Sequence, residues 1–129
     1  MTYWDGTSEI KITADVVYKD IIDKTAERCL QVVKAKSPDG DRTNKKYKDG
    51  WVVLKGKMQH NEYYVTVWNK TNWQLTHLLE NGHIIANKRG GVGWASAKPH
   101  IQEAIDEVRP QFISDMENAE INIDIETKG

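Results

Sequence analysis

The chain has 129 residues, the size of one domain, and its mean hydropathy of -0.67 predicts a modest core beneath a polar surface. A single cysteine, Cys29, excludes an intramolecular disulfide and a cysteine-based zinc cluster, whereas the net charge of -1 gives no indication about nucleic acid. No apolar run approaches the roughly 20 residues that span a bilayer, and no secretion signal is evident, so we expect one cytosolic domain over residues 1–129.

The charges are distributed unevenly along the chain. Residues 34–57 contain eight basic and three acidic residues, whereas residues 101–129 contain eight acidic and two basic residues. The simpler interpretation is two solvated faces of opposite sign. The alternative is a head-to-tail contact in which the basic segment of one subunit meets the acidic segment of its neighbour.

The first half of the chain predicts a helix followed by a hairpin. Residues 1–9 are expected to be a flexible N-terminus, and an apolar stripe predicts an amphipathic helix from the N-cap Thr13 to Lys36. The polar, basic segment 37–50 predicts a long mobile loop. The alternating runs "WVVLKGKM" and "YYVTVWN" then predict two strands of a β-hairpin.

The second half predicts two further helices. Residues 72–81 are expected to form a short helix with Gly82 at its end, followed by a glycine-rich loop with a strand at one or both ends. Pro99 then precedes a helix that reaches about Ala119, with a bend expected at Pro110. The alternation in "INIDI" predicts an edge strand or tail over residues 120–129.

The motif "LTHLLENGH" suggests a metal site, because imidazole and carboxylate groups are common zinc ligands. A metal-dependent hydrolase would use His77, Glu80, His83 and His100. However, His83 lies six residues after His77 and beyond Gly82, whereas two helical histidines bind one metal best four residues apart. We therefore favour a structural role for these polar groups and expect no metal, no cofactor and no catalytic residues.

Nucleophilic catalysis is also not favoured by the sequence. Cys29 lies in the apolar stripe of the first predicted helix, where a small core residue is expected. Ser96 and His100 are near a helix start, but no orienting acid accompanies them. Exposed basic residues in the two loops could instead contact DNA phosphates without sequence preference; the candidates for phosphate or partner contact are Arg42, Lys45, Lys46, Lys48, Lys88 and Arg89.

The order of five short motifs is more informative than any one of them. These are "YKDGW", "VWN", "LTHLLENGH", a glycine-rich basic loop and "AKPHIQEAIDEV", and together they resemble the HK-ninety-seven gene-product-ten (HK97-gp10) family, tail components of long-tailed bacteriophages. The resemblance covers roughly residues 10–119. The matching positions are Asn69, Leu75, Leu78, Leu79, Glu80, Gly82, His83, Gly90, Gly91, Pro99, His100 and Ile101.

The resemblance implies an α+β fold, in which a small antiparallel sheet of three to five strands packs against a long N-terminal helix and a C-terminal helix, with a short helix between. It also implies a non-enzymatic structural protein of a phage or prophage, a ring-forming homo-oligomer in the head-tail joining or tail-completion region. Its partners would be other neck or tail proteins, and its location the virion, after assembly in the host cytoplasm. We further expect His83 and His100 to brace the base of the glycine loop.

Overall fold

The computed structural model describes residues 2–4, 9–38, 47–70, 76, 79–81, 83–86 and 92–128. Its largest sheet is antiparallel with strand order β1-β2-β4-β3. The four strands are β1 (Thr2–Trp4), β2 (Glu9–Asp15), β3 (Trp51–Gln59) and β4 (Glu62–Asn69). Together with two long helices this is the predicted α+β class, and the predicted β3-β4 hairpin is confirmed.

The N-terminal expectation is wrong for the residues that the structure describes. Thr2–Trp4 pairs with β2 rather than forming a flexible end, and β2 extends to Asp15, so Thr13 is a strand residue and not a helix cap. The physical reason is the alternation of Ile10 and Ile12, both fully buried, which has the period of two that a strand needs. The Asp15 side chain instead accepts from the Val17 amide at 3.0 Å and opens a 3-10 turn, Val16–Tyr18.

Strand β3 contains an irregularity between Leu54 and Lys57. Gly56 lies within it, and an added Cβ there would be 2.7 Å from a ring carbon of Tyr63 and closer still to the carbonyl oxygen of Tyr64. Such contacts are too short for any side chain, so the close approach of β4 requires glycine at this position.

The two long helices pack side by side and antiparallel. Helix α1 (Lys19–Lys36) buries one stripe that includes Ile22, Ala26, Cys29 and Val33, and Lys36 ends the helix 3.6 Å from Glu107 of the second helix, α2 (Ile101–Lys128). Helix α1 contacts β2, β3 and β4, whereas α2 contacts α1 and β1. All core side chains of β2, β3 and β4 lie on one sheet face, so the helices cover that face: Ile10, Ile12, Trp51, Tyr63, Val65 and Val67.

The C-terminal expectation of an edge strand or tail over residues 120–129 is wrong as far as Lys128, because α2 continues to that residue. Each added helical residue gains a hydrogen bond without a new nucleus, which outweighs the strand-like alternation of Ile121–Ile125. The helix also continues through Pro110, which has no N–H to donate to the Asp106 carbonyl, and both residues are exposed.

Between the sheet and α2, Thr76 and residues 79–81 are helical, as predicted for the short helix. A two-stranded antiparallel hairpin follows, formed by β5 (His83–Ala86) and β6 (Val92–Ala95), so the glycine-rich segment has a strand on each side. Within the described residues, none of the helices combines the length and apolar character needed to cross a membrane.

Candidate functional site: a buried polar cluster

Four of the five sequence motifs meet at one end of the molecule, in what we call the motif cluster. It consists of side chains that are buried although most of them are polar. Its members come from the end of the basic loop, from both strands of the β3-β4 hairpin, from the short helix and from the start of α2: Tyr47, Trp51, Asn69, Thr76, Glu80 and His100. The motifs are therefore close in space although they are separated in sequence.

Glu80 caps the N-terminus of α2. Its Oε1 accepts hydrogen bonds from the amides of His100 and Ile101 at 2.8 and 3.0 Å, and its Oε2 accepts from the amide of Gln102 at 3.1 Å. These amides are among those that a helix leaves without partners in its first turn. A carboxylate from a distant segment thus satisfies three backbone donors, two of them buried, and also complements the positive end of the helix dipole.

His100 connects three segments through its two ring nitrogens. Nδ1 lies 2.9 Å from the Lys98 carbonyl oxygen, and Nε2 lies 2.6 Å from the Tyr47 hydroxyl. Because a carbonyl only accepts, Nδ1 carries the proton and Nε2 accepts from Tyr47. Thr76 Oγ1, 3.4 Å from the Tyr47 hydroxyl, extends the chain of contacts.

Burial determines the protonation state in this cluster. Desolvation lowers the pKa of His100, although the Lys98 carbonyl and the charges of Glu80 and Glu103 act in the opposite direction. Burial also raises the pKa of Tyr47, so its hydroxyl keeps its proton. The His100 Nδ1 to Glu80 Oε1 distance of 3.2 Å is therefore a contact between a neutral imidazole and a carboxylate.

The basic loop ends in a tightly bonded turn. The carbonyl oxygen of Tyr47 accepts from Asn69 Nδ2 at 2.6 Å and from the Gly50 amide at 3.0 Å. Trp51 follows immediately, and its Nε1 donates to Ser37 Oγ at 2.9 Å, which joins the two ends of the basic loop. The rings of Tyr47, Trp51 and His100 meet edge to face, with centroids 5.4 to 6.1 Å apart.

The cluster also closes the base of the β5-β6 excursion. The Lys98 amide donates to the Leu79 carbonyl oxygen at 2.6 Å, beside the bonds from Glu80 to α2. Leu79 packs against the core and Ile101 is fully buried, whereas Pro99 is exposed. His100 thus lies at the loop base, and the joint bracing role of His83 and His100 stays a prediction, because the His83 side chain is outside the described part.

Several predicted residues cannot be placed. Outside the described residues lie Leu75, Leu78, Gly82, Gly90 and Gly91 of the motif, and Arg42, Lys45, Lys46, Lys88 and Arg89 of the phosphate or partner contacts. Lys48 is described, in a 3-10 turn (Lys48–Gly50) that follows Tyr47, and it is partly buried. Contact of these basic residues with DNA stays a prediction.

The positions of the candidate catalytic groups favour structural roles. Both oxygens of Glu80 and both nitrogens of His100 already have hydrogen-bond partners, so metal binding would have to break the helix cap. Among the described residues, no three His, Cys, Asp or Glu side chains form a group suited to a metal, and His77 lies outside them. Burial raises the pKa of Cys29 to about 12, and Ser96 is exposed whereas His100 is buried.

Sequence reasoning missed Tyr47 and Thr76. A signal for Tyr47 was present, since it is an aromatic residue in a segment of otherwise polar residues and belongs to the quoted motif "YKDGW". Thr76 had no such signal, because a hydroxyl residue inside a short helix has no preferred partner until the chain is folded.

Comparison with known proteins gives one finding that names a function. Residues 7–82 match the family described as "Bacteriophage HK97-gp10, putative tail-component". The matched residues extend from the start of β2 through α1 and the β3-β4 hairpin to the short helix, and include Tyr47, Asn69 and Glu80. No curated protein and no solved structure matched the chain.

Proposed function

Because the chain belongs to the HK97-gp10 family of bacteriophage tail components, we propose that it is a non-enzymatic, ring-forming protein of the head-tail joining or tail-completion region, required for virion assembly. The observation that carries this proposal is the family match over residues 7–82, which includes most of the elements that build the fold. A tail component is part of the virion, and its partners would be copies of itself and other neck or tail proteins.

The structure supports this proposal through the use of its polar groups. A catalytic site needs buried acids and bases with free hydrogen-bonding capacity in a cleft. In the motif cluster these groups instead join four chain segments and hold the base of the β5-β6 excursion. A rigid base beneath an excursion suits a protein that presents a loop to a neighbouring ring or subunit.

The ring is tested by measuring the mass of the full chain in solution, with size-exclusion chromatography, light scattering and negative-stain electron microscopy. The measurement is made alone and with the tail-tube protein of the same phage, and a tail-tube protein of an unrelated phage is the control. We expect a closed oligomer at a multiple of 14.8 kDa, at least with the cognate partner. A protein that stays monomeric and binds no cognate partner would contradict the proposal.

A further inference from the structure

Two surfaces at opposite edges of the subunit have complementary chemistry. The first is the outward ridge of α2, formed by exposed residues three or four positions apart: Glu103, Asp106, Pro110, Ile113 and Glu117. At 3.6 residues per turn these positions share one helix face, opposite the buried stripe that includes Ile105, Val108 and Phe112. The ridge is therefore acidic with one large apolar residue near its middle, since Ile113 is 48% exposed.

The second surface, which we call the β3 edge, is the outer face of the sheet, turned away from the helices, at the side of the sheet that ends in β3. This strand is the last in the order β1-β2-β4-β3, and Lys11 of β2 lies on the same face as Leu54, because both residues are register partners of Thr66 in β4. Leu54 is 47% exposed, and Lys11 is partly buried with its Nζ 5.1 Å from the centroid of the Tyr64 ring. The β3 edge thus has the positive charge of Lys11 and an exposed apolar residue, the reverse of the α2 ridge in charge.

The positions of the two surfaces favour a contact between copies. Helix α2 contacts β1, at one edge of the sheet, and β3 is the other edge, so one subunit cannot join its own two surfaces. Different, complementary patches on opposite sides of a subunit produce a head-to-tail contact, which closes into a ring when the rotation allows. Opposite charge around an apolar centre also orients such a contact.

We propose that the β3 edge of one copy, centred on Leu54, packs against the α2 ridge of the next copy, centred on Ile113. This inference rests on the ring proposed above and names the two surfaces that form it. Lys11, which is on the same sheet face as Leu54, then faces the carboxylates of Glu103 and Glu117 beside the apolar contact. Every subunit uses one copy of each surface, so a closed ring leaves neither exposed.

The test uses two full-length variants, Leu54→Asp and Ile113→Asp, under the conditions in which the wild type forms rings. Each removes one surface and leaves the other, so each variant alone should need at least about tenfold more protein to assemble. A mixture of the two should form dimers and stop there, because only the intact α2 ridge of Leu54→Asp and the intact β3 edge of Ile113→Asp can join.

The matched control is Val17→Asp, which introduces the same charge at an apolar residue that is 60% exposed and belongs to neither surface. It should assemble like the wild type, and thermal unfolding shows that all three variants are folded. If Leu54→Asp and Ile113→Asp each formed rings on their own, the proposed contact between these two surfaces would be wrong, but the proposal of a ring would stand. A wild type that never assembles would overturn the ring and the contact together.

Discussion

The apolar core beneath α1 and the motif cluster at the end of the sheet are both buried, but they are built differently. In the core, residues such as Ile22 and Val33 recur with the helical period, and each contacts neighbours of similar shape. In the cluster the polar atoms have specific hydrogen-bond partners, as the Glu80 carboxylate has in the first turn of α2. Apolar packing tolerates small changes in side-chain shape. In a buried hydrogen-bond network, by contrast, removal of one group leaves all of its partners unsatisfied at once.

The largest expected effect is that of Glu80→Ala. Removing the carboxylate leaves the amides of His100, Ile101 and Gln102 without acceptors, which should lower the free energy of unfolding by about 3–5 kcal/mol. Urea unfolding measures this value. Ile22→Val, which removes one methylene from the apolar core, is the matched control and should cost only about 0.5–1.5 kcal/mol. Equal decreases in the free energy of unfolding for the two variants would contradict the difference between the motif cluster and the apolar core.

An intermediate effect is expected for Tyr47→Phe. The ring and its packing against Trp51 remain, but His100 Nε2 loses its donor and Thr76 loses its contact. The free energy of unfolding should fall by about 1–3 kcal/mol. Tyr64→Phe is the control, because Tyr64 is only partly buried, and a loss as large in that variant would show that the Tyr47 hydroxyl has no special role.

The pH dependence of stability should also distinguish the cluster. Burial lowers the pKa of His100 in the folded state, so the unfolded chain binds its proton first as the pH falls below about 6.5. Stability should therefore decrease from pH 7 to pH 5, with a contribution from His100 of at most about 1.4 kcal/mol per pH unit. The difference between wild type and His100→Gln isolates this contribution, and parallel curves for the two proteins would refute it.

The smallest expected effect has the opposite sign and lies in the apolar core. The Thr25 hydroxyl is buried in α1, and no group of the described residues forms a hydrogen bond with it. Thr25→Val keeps the shape and removes the unsatisfied group, so the free energy of unfolding should rise by about 1 kcal/mol. Thr25→Ser, which keeps the hydroxyl and removes a methyl group, should destabilise the protein. If thermal unfolding showed no gain for valine, the hydroxyl would have to be satisfied in solution.

The same difference explains what could be predicted from the sequence. Periodicity identified α1, the β3-β4 hairpin and the first part of α2, because apolar patterns report the face that a regular element buries. Periodicity placed the start of α1 wrongly at Thr13, because the apolar stripe of the helix and the alternation of β2 overlap there. It also ended α2 too early, because Ile121–Ile125 alternates like a strand. A local sequence pattern does not show which neighbouring segment a stretch of chain will pair or pack with in the folded protein.

The motif cluster was predictable only in part. The motifs indicated which residues belong together, but not that Glu80 is the cap of a helix beginning 21 residues later. Such a cap has no local signature, since the usual capping residue directly precedes the helix that it serves. Glu80 reaches the start of α2 because the chain returns to it after β5 and β6, and no rule of residue spacing predicts that return.

The hydrogen bonds that the amides of Lys98 and His100 donate to Leu79 and Glu80 join the two ends of the β5-β6 excursion. The length of the excursion is therefore largely independent of the rest of the fold. Once the two ends of a segment are joined, doubling its length costs only about 0.6 kcal/mol in closure entropy. The segment between β5 and β6, residues 87–91 in the sequence, could thus be lengthened or replaced during evolution without changes in the core. A phage could change what this protein touches by altering a few codons, while the joined ends keep the rest of the fold as it is.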